Sequence, residues 1–311
     1  MSKSHLRPVK LLFGINCNIN KEEDSEMNEL ISRVQAACAN QPGWLRKKRQ
    51  LAAMLLTRFS TMPEEKPLVT AWQKKLDTHL VPEGETTTVD GLVDLPLFEA
   101  VKQYPAMCQE NLMEKGLSWQ ASQLNAMHLA LLNGGRFLYL ANDQQINSPV
   151  ELSGDFAAAN YHTLIIVGSN CQLTIKDQRN WQAGVPLFSG LELLVGTNST
   201  VSYLYNGHLY SPVMARLGMH VYQAHGAQVR VIAAPQVSQP LTLDLQSNLD
   251  GDGSLATLTA LHSADNWPAR FIVGVNEHRQ ATPYRPHNQA VAVEADGKLV
   301  VSGAFVGDDE L

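Results

Sequence analysis

The sequence has only four cysteines, Cys17, Cys38, Cys108 and Cys171, set far apart and with no Cys-x-x-Cys pair. That spacing supports neither a zinc knuckle nor a disulfide framework, so buried free thiols are expected. No run approaches the roughly 18 apolar residues of a membrane span, and the first residues lack the charged, apolar, small-residue order of a secretory signal. A cytoplasmic protein without membrane contact is expected. Positive charge is also short. There are 24 Lys plus Arg against 30 Asp plus Glu, a formal charge of −6, which leaves no broad basic field to hold nucleic acid. Gly-x-x-x-x-Gly-Lys-Ser/Thr, Gly-x-Gly-x-x-Gly and Gly-x-Ser-x-Gly do not occur, which argues against nucleotide binding and against a serine-hydrolase elbow.

What is present is a globular composition: 44% hydrophobic and 17% charged residues over 311 positions, enough for one large domain or two modest ones. The first third is helical in pattern. Residues 22–40 carry Glu22, Glu23 and Asp24 at the start and Leu30, Ile31, Val34 and Cys38 on one face, and Gln41-Pro42-Gly43 ends them. Further helices are predicted over 44–59, over 67–80 and around Phe98 to Tyr104, with residues 82–91 as a loop. The clearest helix holds Leu124, Met127, His128 and Leu131 and stops at Asn133-Gly134-Gly135. His128 lies on that apolar stripe and reads as a satisfied core histidine. The basic run Arg46-Lys47-Lys48-Arg49 reads as the wet face of a helix, with a phosphate or acidic-partner contact as the minor reading.

After Gly135 the periodicity changes from about 3.6 to about 2, and the later sequence aligns with itself. Gly168-Ser-Asn-Cys-Gln-Leu173, Gly196-Thr-Asn-Ser-Thr-Val201, Ala224-His-Gly-Ala-Gln-Val229, Asp250-Gly-Asp-Gly-Ser-Leu255 and Glu294-Ala-Asp-Gly-Lys-Leu299 each pass through a small-polar turn into an alternating strand. Steps near 28 residues, with two to three short strands each, are too small for propeller blades and indicate a solenoid. The expected fold is a helical region over 1–134 followed by a right-handed parallel β-helix over 135–311. Leu173, Val201, Val229 and Leu255 form one inward column, Leu299 lies two short turns further on, and the helices cover the first coil. The last coil has nothing after Gly307-Asp-Asp-Glu-Leu311 to cover it. Its strands are therefore expected to meet another subunit, through Val291, Val293, Leu299, Val301 and Phe305, or to fold back on themselves.

Chemistry-bearing residues give weaker signals. His208, His220, His225 and His262 fall within the repeats, but no ligand pair recurs at one-coil spacing, so neither a metal site nor a catalytic residue is assigned. Asn248-Leu-Asp-Gly-Asp-Gly253 opens like a calcium loop but has Thr259 where a bidentate Glu is needed, and it reads as a tight turn with positive φ at Gly251 and Gly253. Asp177, Arg179, Glu192 and Arg230 would suit a carbohydrate-enzyme groove, but on strands such charges are ordinarily solvated outward positions.

Leu124-Asn-Ala-Met-His-Leu-Ala-Leu-Leu-Asn-Gly-Gly-Arg-Phe-Leu-Tyr-Leu140 resembles the helix-to-strand entry of the SufB/SufD family of iron–sulfur cluster assembly proteins. His162 to Val167 with Gln172 to Ile175, and Phe188 to Tyr203, are similar to that family's first rungs, and the likeness extends over about 95–306. The resemblance implies a SufD-like accessory or scaffold component that acts by protein–protein binding, not as an enzyme, paired with itself or with a SufB-like subunit. It implies no resident cofactor; a cluster would be held only transiently or with a partner. The family's Cys-Ser-His-Gly-type segment and ATPase-docking helices lie beyond the last residue here, so no ATPase contact is expected from this sequence. The alternative is an interaction module that kept the β-helix and lost the cluster and ATPase roles.

Overall fold

The computed structural model describes residues 21–75, 86–262, 268–277, 285–286, 289–293 and 297–304. Among the described residues, six α-helices occupy the first part: α1 (Lys21–Ala37), α2 (Gly43–Met54), α3 (Lys66–Lys75), α4 (Leu97–Gln103), α5 (Pro105–Asn111) and α6 (Gln123–Ala130). From Gly134 the chain winds through three sheets of parallel strands, a β-solenoid of about five turns. The first sheet stacks Gly134–Leu140, Asn160–Val167, Leu187–Val195, Ala215–Gln223, Leu241–Leu249 and Ala269–Glu277. The second runs from Val150–Leu152 to Leu255–His262, and the third is built of short strands from Asp155–Phe156 to Gln236–Val237.

Burial distinguishes the sheets. Gln172–Asp177 and Thr200–Tyr205 alternate between inward buried and outward accessible residues, as a sheet with one wet face must. Leu187–Val195 is buried at every position, because the helical layer lies against its outer face. Trp72 of α3 donates its indole N–H to the Pro186 carbonyl at 2.8 Å, and an added Cβ on Gly218 would lie 3.2 Å from Leu117. The helical layer therefore runs along the outer face of this sheet, beginning at the first coil, where Tyr104 stacks on Phe137 and Leu97 of α4 lies against Gly135. The first edge is closed by a strand that the periodicity missed: Leu92–Pro96 pairs antiparallel with Gly134–Leu140.

The repeated turn has a backbone cause. Asp143, Asn170, Asn198, Gly226 and Gly253 all have φ between 56° and 70°, and each stands at the same corner of its coil. Only Gly, and at some cost Asn or Asp, adopts that left-handed conformation readily. Consecutive turns are stitched together by Asn170 N–H to Thr197 O (2.8 Å), Asn198 N–H to His225 O (2.9 Å) and Gly226 N–H to Asp252 O (2.8 Å).

This corner corrects the fourth repeat by one residue. Gly253, not Gly251, has positive φ, so Val229 pairs with Ala256 and the inward column is Leu173, Val201, Val229 and Ala256, at most 4% exposed. Leu255 faces outward and is 42% exposed. Gly251 is required for another reason: a Cβ there would stand 2.5 Å from the His225 nitrogen. Leu299 is not on a further coil either. Its strand, Gly297–Ala304, turns back antiparallel along Leu255–His262, and Gln289–Val293 does the same along Ala269–Glu277.

The basic run also departs from a wholly wet face. Arg46 and Lys47 are exposed, but Arg49 is fully buried. Its guanidinium donates to the carbonyls of Ala130 (2.9 Å) and Leu132 (2.8 Å) at the C-terminal end of α6, where a cation complements the helix dipole. Burial lowers its pKa to about 10.

Candidate functional site

The outer face of the first sheet carries a chain of buried polar side chains beneath the helices. Asn160 donates its amide N–H to the His128 carbonyl at 3.0 Å, which leaves its oxygen to accept from His128 Nδ1. His128 Nε2 then accepts from His162 Nδ1 at 3.0 Å, and one proton bridges His162 Nε2 and Glu192 Oε2 at 3.1 Å. Glu192 also accepts the backbone N–H of Met113, of Gly116 (3.1 Å) and of Leu117 (3.0 Å). Met113, at φ 55°, bends that loop around the carboxylate. Gly190 makes room for the histidine pair, since a Cβ there would lie 2.7 Å from His128 Nε2. His128, His162 and Glu192 are all 0% exposed.

One coil further on, Arg216 bridges Glu65 of the helical layer and Asp244, and His220 Nε2 meets Asp244 Oδ2 at 3.1 Å. Burial pushes the Asp244 carboxyl upward, but His220 and Arg216 outweigh it and hold the group well below the usual carboxylate range. Arg136 and Asp94 form a third buried pair, and Thr87 donates to the same carboxylate through its N–H (2.8 Å) and hydroxyl (2.7 Å). Inside the solenoid, Asp177 binds Arg179 and accepts from the Tyr203 hydroxyl. Burial would lower the Arg179 pKa, but Asp177 raises it well above its ordinary value. Each of these carboxylates has its partners, so the arrangement joins layers and offers no free base or nucleophile.

His128 gives the network a pH signature. Desolvation, then the neighbouring His162, lowers its pKa well below the ordinary value, so it stays neutral when folded. The unfolded chain takes up this proton below about pH 6.5 and the folded chain does not, which favours unfolding in acid. Stability is expected to fall by about 1.4 kcal/mol per pH unit through this residue, from pH ~6.5 down to its folded pKa. Urea titrations across pH on the parent and on His128→Gln should show the parent alone losing that increment.

Asp177, Arg179 and Glu192 are thus buried (at most 2% exposed) instead of solvated, which also removes them from any external groove; Arg230 is exposed. His208 and His225 are exposed, whereas His262 is buried. Cys38, Cys108 and Cys171 are buried free thiols, and burial pushes Cys108 up to about 12; Cys17 lies outside the described residues. Among the described residues, no group of three or more His, Cys, Asp or Glu is arranged to hold a metal ion. No helix among them is long and apolar enough to cross a membrane.

The expected interface residues fall on the antiparallel strands at the last coil. Val291 pairs with Phe271, Val293 with Ala269, Leu299 with Ala260 and Val301 with Leu258; Phe305 lies outside the described residues. Val301 is 8% exposed and Leu299 packs against the core, so both face inward. The outward apolar side chains there are Val300, 47% exposed, and Leu255. Sequence reading placed Leu255 inward because of the one-residue slip at Gly253, and on Gly297–Ala304 it chose Leu299 and Val301, the face opposite Val300.

No family model matches the chain. Two curated proteins do. The iron–sulfur cluster assembly protein SufD of Bacillus subtilis (strain 168) is 28% identical over 123 residues, 36% of this chain and 28% of that protein. A SufBD family iron–sulfur cluster assembly protein of Pyrococcus horikoshii is 37% identical over 62 residues, 20% of this chain and 14% of its own length. The matched stretches therefore span less than a third of either relative. Over these stretches the chain is similar to proteins of the SufB/SufD family.

Proposed function

We propose that this chain is a SufD-like accessory component of iron–sulfur cluster assembly that acts by binding a SufB-like subunit, and that it is not itself an enzyme. The observation that carries this reading is the last coil. Gly297–Ala304 is the terminal strand of the second sheet, with Val300 and Leu255 exposed on its outer face. A strand edge of this kind pairs with another chain through its backbone, while exposed side chains beside it select the partner. The cluster is cargo, held jointly with the partner. The buried network keeps the helical layer and the coils in one arrangement while the edge is engaged.

Light scattering after size exclusion, on the chain alone and mixed with a SufB-like protein, tests the binding. A one-to-one complex is expected, and it should be lost in Val300→Glu with Leu255→Glu, two exposed sites that leave the fold intact. A homodimer through the same strands is the expected state without the partner. A monomer at high concentration that also ignores the SufB-like chain sinks the proposal. The donor set described above favours a second reading, an interaction module without cluster work. Anaerobic reconstitution of the complex with iron and sulfide separates the two: visible absorbance supports cluster assembly, and a colourless complex supports the module.

A further inference from the structure

The basic run on α2 is only partly absorbed by the fold. Lys48 reaches the Leu112 carbonyl and Glu114, and Arg49 is buried at the end of α6. Arg46 and Lys47 remain exposed, as does Arg58 on the 3-10 turn Leu56–Arg58 just beyond, and among the described residues none of the three makes an ion pair or hydrogen bond through its side chain. Between them Leu51 is 45% and Met54 62% exposed, at positions i+4 and i+7 from Lys47 and so on one helical face. The opposite face, with Leu45, Arg49, Ala52 and Ala53, is buried.

An exposed Leu alone needs no explanation, but two large apolar side chains on one face bordered by three unpaired cations form a coherent surface. The chain as a whole is at −6, so this patch has the opposite sign to the molecule that bears it. We propose that the exposed face of α2 is a docking site for an acidic amphipathic helix of a partner protein. Apolar side chains of that helix would cover Leu51 and Met54, and its flanking carboxylates would meet Arg46, Lys47 and Arg58. Met54 suits such a role because its flexible thioether adapts to the partner's shape. A bilayer is the poorer occupant. α2 is fixed by its buried face and presents two apolar side chains, whereas interfacial helices insert a whole apolar stripe.

The site is separate from the strand edge of the last coil, so its test is independent. Fluorescence anisotropy would follow a labelled helical peptide, with Leu on one face and Glu on both flanks, against the full chain. A scrambled peptide of equal composition and vesicles containing phosphatidylserine serve as comparisons. Binding of the patterned peptide is expected to exceed that of the scrambled one by about tenfold, roughly 1.4 kcal/mol. It should weaken by a similar factor in Arg46→Glu with Lys47→Glu and in Leu51→Ser with Met54→Ser, and salt should weaken it in the parent. Equal binding of the scrambled peptide, no binding, indifference to both double variants, or preferential association with vesicles would each overturn the proposal.

Discussion

Replacing Glu192 with alanine is expected to cost about 3–5 kcal/mol, the range for breaking a buried charge pair by removing one partner. The loss has two parts. Three backbone N–H groups, of Met113, Gly116 and Leu117, lose their acceptor in a place that water does not reach, and the proton between His162 and the carboxylate loses its second site. A buried donor left unmade costs about 1–3 kcal/mol. The loop at 112–117 spans two layers, so the damage should show there first, as faster amide hydrogen exchange at 113, 116 and 117. Urea unfolding gives the total. An unchanged midpoint, with exchange at those amides also unchanged, would mean that the network does not hold the helical layer to the coils.

Placing aspartate at Val201 is expected to destabilise by about 3 kcal/mol or more, because an unpaired carboxylate would enter the interior column between Leu173 and Val229. The matching change Leu255→Asp should stay within about 0.5 kcal/mol, since that side chain is 42% exposed and points outward. Thermal melting of the two variants therefore reads the register directly. Alignment by residue type places both positions in one column, whereas the turn at Gly253 places them on opposite faces. Equal losses at the two sites would favour the alignment by type.

The solenoid was legible in the sequence because its cause is local and repeated. A left-handed corner every 27 or 28 residues demands Asn or Gly, as at Asn170, Asn198 and Gly226, and the strand that follows alternates because one of its faces meets water. The helices α1, α2, α3 and α6 were legible for a similar reason, each having an apolar stripe at helical spacing. Periodicity could not foresee Leu92–Pro96, whose place comes from pairing with Gly134–Leu140 some 40 residues away in the chain.

The charged residues were the least legible. Asp177, Arg179, Glu192 and Arg49 read as solvated, since a sequence shows a charge but not its burial: Glu192 and Arg49 find backbone partners in distant segments, and the neighbours Asp177 and Arg179 pair with each other inside the coil, where Tyr203 donates to Asp177. Sequence by itself settled the parallel coils, their period and the family likeness, because steric limits at one corner recur along the chain. Only the tertiary structure decided which charges are buried, which face of the last coil is apolar and where the helices lie. Burial and charge pairing depend on layers meeting across long separations, and no single segment records that meeting.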